Sequence, residues 1–138
     1  MAGRFYVDTS AYLCVLLGER GHGRLEAELS AGRLLSSVLL VLEANRNLIR
    51  LSREGWIRPD ELQACLARLD EDREHFLLRD LTLDLCRTST MPVVSTPRSL
   101  DLAHLRTALW FHEREPLTRF VTLDETQAQA ARELGLPG

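Results

Sequence analysis

The sequence predicts an α/β layered fold with a mainly parallel sheet, held in one domain over residues 1–138. Three observations predict it. Short β-rich runs alternate with stretches of helical periodicity, the pattern that builds strand–helix–strand units. No repeat, low-complexity tract or long linker breaks that alternation. Hydrophobic residues make up 45% of the chain, an ordinary share for a globular protein that forms one core without staples.

Each element has a local reason. Arg4-Phe5-Tyr6-Val7 is a buried-strand candidate, and Asp8-Thr9-Ser10 offers capping side chains before a helix over Ala11–Leu17. A second helix is predicted over Gly23–Ala31, with Leu25 and Leu29 four apart on one face. Arg33–Ser37 reads as the second strand. A long helix follows from Val38 to Glu54, its apolar stripe assigned to Leu42, Leu48, Ile49 and Leu51 and its stop to Gly55. Pro59, Asp60 and Glu61 open the next helix, predicted through Glu74, because proline and acids suit a first turn. Phe76-Leu77-Leu78 is a weaker strand, Leu83–Arg87 a short helix and Met91–Pro97 an extended loop. Ser99 caps a helix carrying Leu102, Leu105, Ala108 and Leu109. Phe120-Val121-Thr122 is the last strand, and Glu125–Leu134 the last helix, ended by Gly135.

Composition excludes some functions. The formal net charge is −3, which is not the footprint of a broad basic face gripping nucleic acid. All 17 cationic side chains are arginine, the residue suited to bidentate contact with phosphate or carboxylate. Cys14, Cys65 and Cys86 form an odd set without a CxxC pair, so they read as buried free thiols in a reducing compartment. The longest mostly apolar stretch, Leu34–Leu42, is interrupted by two serines and falls short of the roughly 20 residues that span a bilayer. No signal peptide is visible, and the expected location is cytoplasmic.

Chemistry is expected where strands end, because open α/β sheets bind ligands outside the carboxyl ends of their strands. Asp8 directly follows the first strand and Asp124 the last. Each could be a helix cap, or the two could converge if their strands are neighbours. Crowded carboxylates repel unless one is protonated or a cation intervenes. Glu43 lies in an apolar run and needs a partner, a proton or a metal. Arg46 or Asn47, three and four residues on, could supply the partner. Asp101, in a first helical turn, could serve the helix dipole or a metal. His104 shares its face and could donate to that acid or bond a backbone carbonyl; it does not read as a metal ligand. Four acids at one strand-end crevice suit a hard divalent ion such as Mg²⁺.

Together these segments resemble the PIN-domain ribonucleases, most closely the VapC toxins of toxin–antitoxin modules. Phe5-Tyr6-Val7-Asp8-Thr9-Ser10-Ala11 looks like the family's opening strand and first acid. Leu40-Val41-Leu42-Glu43-Ala44-Asn45-Arg46 matches the second-acid helix. Arg98-Ser99-Leu100-Asp101-Leu102-Ala103-His104-Leu105 is similar to the third, and Phe120-Val121-Thr122-Leu123-Asp124 to the last. The resemblance implies a three-layer α/β/α sandwich. It implies Mg²⁺ or Mn²⁺ held by Asp8, Asp101, Asp124 and Glu43, and RNA hydrolysis by metal-activated water. Ser10 and Thr122 align with hydroxyls that support the acids, and Arg46 or Arg98 could steady an RNA phosphate. A cognate VapB-like antitoxin and a homodimer are implied as partners. Glu19, which matches an acid often seen after the first helix, reads as a solvated charge.

Three rivals stand beside this reading. A haloacid-dehalogenase-type phosphatase needs a second Asp two residues after its nucleophile, where Ser10 stands. A PIN nuclease of RNA processing would act without an antitoxin. A non-catalytic PIN-like binding module would leave RNA intact.

Overall fold

The computed structural model describes residues 2–138 as a three-layer α/β/α sandwich around a four-stranded sheet. The strands are β1 (Gly3–Val7), β2 (Gly32–Ser37), β3 (Phe76–Arg79) and β4 (Arg119–Val121). The helices are α1 (Thr9–Leu17), α2 (His22–Ser30), α3 (Leu39–Arg53), α4 (Pro59–Asp72), α5 (Ser99–Arg114) and α6 (Glu125–Glu133). The strand order is β3-β2-β1-β4, and every pairing is parallel. Tyr6 sits opposite Leu35 on one side and Phe120 on the other.

Side-chain alternation along β1 explains the layers. Successive residues of a strand point to opposite faces, and a parallel sheet is covered on both. Phe5 and Val7 therefore join one core with Ala11, Leu25, Leu40, Leu48 and Leu69, contributed by α1 to α4. Tyr6 joins the other, with Leu105, Ala108 and Phe111 of α5 and Ala130 and Ala131 of α6. After β1 the chain turns to the first face, and after β4 to the second. Because β1 and β4 are neighbours, a crevice opens between their carboxyl ends, the switch point where such sheets bind ligands.

Three local expectations need correction. The buried stripe of α3 runs through Leu40, Ala44 and Leu48, whereas Leu42 and Ile49 are exposed. At 3.6 residues per turn, Leu42 and Ile49 share a face with each other but not with Leu48, so the predicted stripe merged two faces. The short helix after β3 is a 3₁₀ turn over Leu83–Cys86, with a second over Thr88–Thr90. Of the thiols, Cys14 is buried, Cys65 is intermediate and Cys86 lies exposed on that turn; all three are free. No helix among the described residues is long and apolar enough to cross a membrane.

Gly32 opens β2 opposite Gly3. A Cβ there would collide with the Gly3 carbonyl oxygen and the Phe5 ring. Gly32→Ala is therefore expected to destabilise the fold by roughly 1–3 kcal/mol, the cost of overpacking against groups that cannot easily yield. A urea midpoint equal to that of the parent chain would show that the strand entrance can shift.

Candidate active site

The four acids predicted from sequence line one crevice of about 180 Å³ at the carboxyl edge of the sheet. Asp8 follows β1, Glu43 lies in the second turn of α3, Asp101 in the first turn of α5, and Asp124 precedes α6. Four helices thus present their N-terminal ends here, where the aligned peptide dipoles favour negative charge. Asp8 and Asp124 are both helix caps as well, accepting from the Ala11 and Gln127 backbone N–H groups respectively. Capping and crevice-lining are compatible, because a carboxylate has two oxygens.

Asp8 is the most buried of the four, at 6% exposure. Its Oδ1 accepts from the Ser10 hydroxyl at 2.7 Å and the Ala11 N–H at 3.2 Å. Its Oδ2 accepts from the Thr122 hydroxyl at 2.5 Å. The same two hydroxyl oxygens accept the Leu123 and Asp124 backbone N–H groups, so they clasp the end of β1 to the end of β4. Burial raises the Asp8 pKa. The bonds from Thr122, Ser10 and Ala11 and the nearby His104 offset it only in part. A carboxyl so placed ionises reluctantly unless a cation stands beside it.

Glu43 is held from other parts of the chain. Its Oε1 accepts from the Thr9 hydroxyl at 2.9 Å and from His104 Nε2 at 2.7 Å. Burial pushes its pKa up, but His104, Thr9 and Arg98 outweigh that and bring it below the ordinary glutamate value. The expected pairing along its own helix is not adopted: Asn47 donates to the Glu43 backbone carbonyl, and Arg46 is exposed.

His104 is 2% exposed and contacts three groups. The Tyr6 hydroxyl lies 2.7 Å from Nδ1, and Thr9 Oγ1 lies 3.3 Å from Nε2 beside Glu43. An ionised Glu43 only accepts, so Nε2 carries a proton. When the ring is neutral, Nδ1 is then left to accept the Tyr6 O–H. Tyr6 stays a phenol, because burial raises its pKa far above neutrality. In that neutral form the line Tyr6 to His104 to Glu43 has one direction of donation. His104 serves Glu43, not Asp101 or a backbone carbonyl as expected from sequence.

Asp101 accepts from Arg98 Nε at 3.3 Å, and the Arg98 side chain is 70% exposed at the rim. Gln127 connects the two remaining acids. Its Nε2 donates to the Asp101 backbone carbonyl at 2.9 Å, and its backbone N–H donates to Asp124. The sequence reading missed Gln127, Thr9 and Tyr6, because each acts across elements far apart in the chain. The hydroxyls expected to support the acids were Ser10 and Thr122, both of which bond Asp8, whereas Thr9 was read only as a capping side chain.

Among the described residues no three His, Cys, Asp or Glu side chains, as oriented, stand close enough to hold one ion. Protein donors engage both oxygens of Asp8 and one oxygen of each of the other three acids. No donor among the described residues reaches Glu43 Oε2, Asp101 Oδ1 or Asp124 Oδ2. The crevice offers hard oxygen ligands, outnumbering the one exposed guanidinium at its mouth, and this donor set suits Mg²⁺ or Mn²⁺ rather than a thiophilic ion. Compared with known proteins, the chain matches no family model and no curated protein.

Proposed function

We propose that this chain is a metal-dependent endoribonuclease whose cation is held by Asp8, Glu43, Asp101 and Asp124. One observation carries the reading: four carboxylates from separate elements line a single crevice at the switch point between β1 and β4. RNA as substrate rests on the resemblance to PIN-domain ribonucleases. So do the finer proposals of a VapC-type toxin, a VapB-like antitoxin, a homodimer and a cytoplasmic location.

Mg²⁺ or Mn²⁺ bound here would offset phosphate charge and make hydroxide accessible near neutral pH. The chain's own residues hold the acids ready. Ser10 and Thr122 fix Asp8, Thr9 and His104 fix Glu43, and Gln127 ties the Asp101 turn to the start of α6. Arg98, exposed at the rim, would meet a phosphate in this reading, and doing so would release Asp101 toward a cation. A non-catalytic binding module is the second reading, favoured by the protein donor that each acid already has.

Thermal melts with and without Mn²⁺ or Mg²⁺, paired with cleavage of a labelled RNA, test both. A cation at about 100 times its Kd stabilises a site by about 2.7 kcal/mol. The expected result is a rise in melting temperature with either ion and cleavage that EDTA abolishes. A rise with intact RNA supports the binding module. Cleavage undiminished in EDTA, or no response in either assay, defeats the nuclease proposal.

A further inference from the structure

Two residues lining the acid crevice hold none of the four carboxylates: Leu13 on α1 and Asn47 on α3. Their placement follows from the fold. Both helices start at the carboxyl edge of the sheet and pack on the same face, so they run side by side in one direction. The hydrogen bond from Thr9 to Glu43 joins them near their starts. Residues four apart share a helix face. The next turn therefore sets Leu13, four after Thr9, alongside Asn47, four after Glu43, and both are half-buried.

The Asn47 amide is nearly unused. One Nδ2 hydrogen goes to the Glu43 backbone carbonyl at 2.8 Å, which turns the amide toward the crevice end of α3. The other has no acceptor among the described residues. Oδ1 has one donor, Arg50 Nη2 at 3.4 Å, beyond the usual range of about 2.7–3.2 Å. Arg50 is itself engaged by Glu54. The amide thus offers an acceptor and a donor side by side in one plane, with leucine methyls next to it. Such a surface is complementary to a planar heterocycle that carries a donor beside an acceptor.

Adenine meets this requirement on its N6–H and N7 edge, which asparagine reads bidentately. Guanine has two acceptors there, and pyrimidines have no N7. We infer that Asn47 and Leu13 form an adenine subsite beside the acids, with Asn47 bonding N6 and N7 and Leu13 packing on the ring face. The adenine is an unpaired one, because the deep, narrow groove of an RNA duplex hides that edge. That the base belongs to RNA cut at its neighbouring phosphodiester rests on the proposed nuclease reading; the subsite itself rests on Asn47 and Leu13.

Adenosine 5′-monophosphate with Mg²⁺ is the probe. The controls are guanosine and uridine 5′-monophosphates and 7-deazaadenosine 5′-monophosphate, in which C–H replaces N7. The expected result is saturable movement of the Leu13 methyl resonances with the adenine nucleotide and at least tenfold weaker binding of each control. Asn47→Ala, which suits a helix and should fold, is expected to bind the adenine nucleotide and its 7-deaza analogue alike. In a second arm, oligouridine carrying one adenosine should be cut beside it at least tenfold faster than the same RNA carrying 7-deazaadenosine, and Asn47→Ala should cut the two equally. Equal binding of the adenine and 7-deaza nucleotides by the parent chain, a preference retained in Asn47→Ala, or no adenine-nucleotide binding would overturn the subsite even if RNA is cut. Selective binding with RNA left intact would uphold the subsite and defeat the nuclease reading instead.

Discussion

Asp8→Asn is expected to cut RNA cleavage at least about 100-fold, a loss near 2.7 kcal/mol of transition-state stabilisation, while the chain stays folded. The substitution removes a charge and little else. Asparagine caps helices about as well as aspartate. Its side-chain oxygen can keep the Ser10 and Ala11 bonds that Oδ1 now accepts. Its amide would face Thr122, whose hydroxyl can rotate to accept. What disappears is the ionised oxygen pair that a divalent cation requires. Stability should move the other way. Burial raises the Asp8 pKa in the folded state, so the fold holds this proton more tightly than the unfolded chain does. The resulting contribution is fully present below the unfolded pKa and is lost as pH rises through the folded one. At neutral pH without metal, the uncharged Asp8→Asn variant should therefore be at least as stable as the parent in urea. Full cleavage activity in a folded variant would remove Asp8 from the proposed machinery.

This variant separates two roles that one residue combines, and the combination explains what was legible in the sequence. Asp8 and Asp124 stand directly after apolar strands, a local pattern, and both the capping and the crevice readings came from it. Both are realised, because the strand end and the helix start are the same place. The alternation Phe5-Tyr6-Val7 likewise announces a strand covered on two faces. Glu43 is different. The sequence shows that a carboxylate in an apolar run needs a partner, and local spacing nominates Arg46 or Asn47. Its actual donors, Thr9 and His104, lie 34 and 61 residues away. No local periodicity encodes such a pairing; it arises when α1, α3 and α5 pack against the sheet. The misassigned stripe of α3 has a related origin. Helical spacing alone does not decide which of two apolar faces meets the core, and the sheet settles it by taking Leu40, Ala44 and Leu48.

Tyr6 is where those long-range choices join, and two substitutions there should have very different effects. The ring is fully buried, stacks on Phe120 with centroids 5.3 Å apart and meets His104 edge-on. Tyr6→Ala deletes that ring from the central strand and is expected to cost about 3–5 kcal/mol, as aromatic-to-alanine changes in cores do. Set against a total stability of about 5–15 kcal/mol, the loss should leave the chain largely unfolded under mild heating or low urea. Tyr6→Phe keeps the ring and removes only the hydroxyl, leaving His104 Nδ1 without its donor at a cost of about 1–3 kcal/mol. Its informative effect lies elsewhere. In the parent chain Nε2–H points at Glu43, which leaves Nδ1 of the neutral ring to accept the phenol O–H. In Tyr6→Phe Glu43 still accepts from Nε2, so ¹⁵N spectra of His104 should keep the Nε2–H tautomer while the Nδ1 resonance shifts with the loss of its donor. An unchanged Nδ1 resonance in the folded Tyr6→Phe variant would mean that the phenol does not donate to the ring, and that the core does not reach the acid crevice through Tyr6.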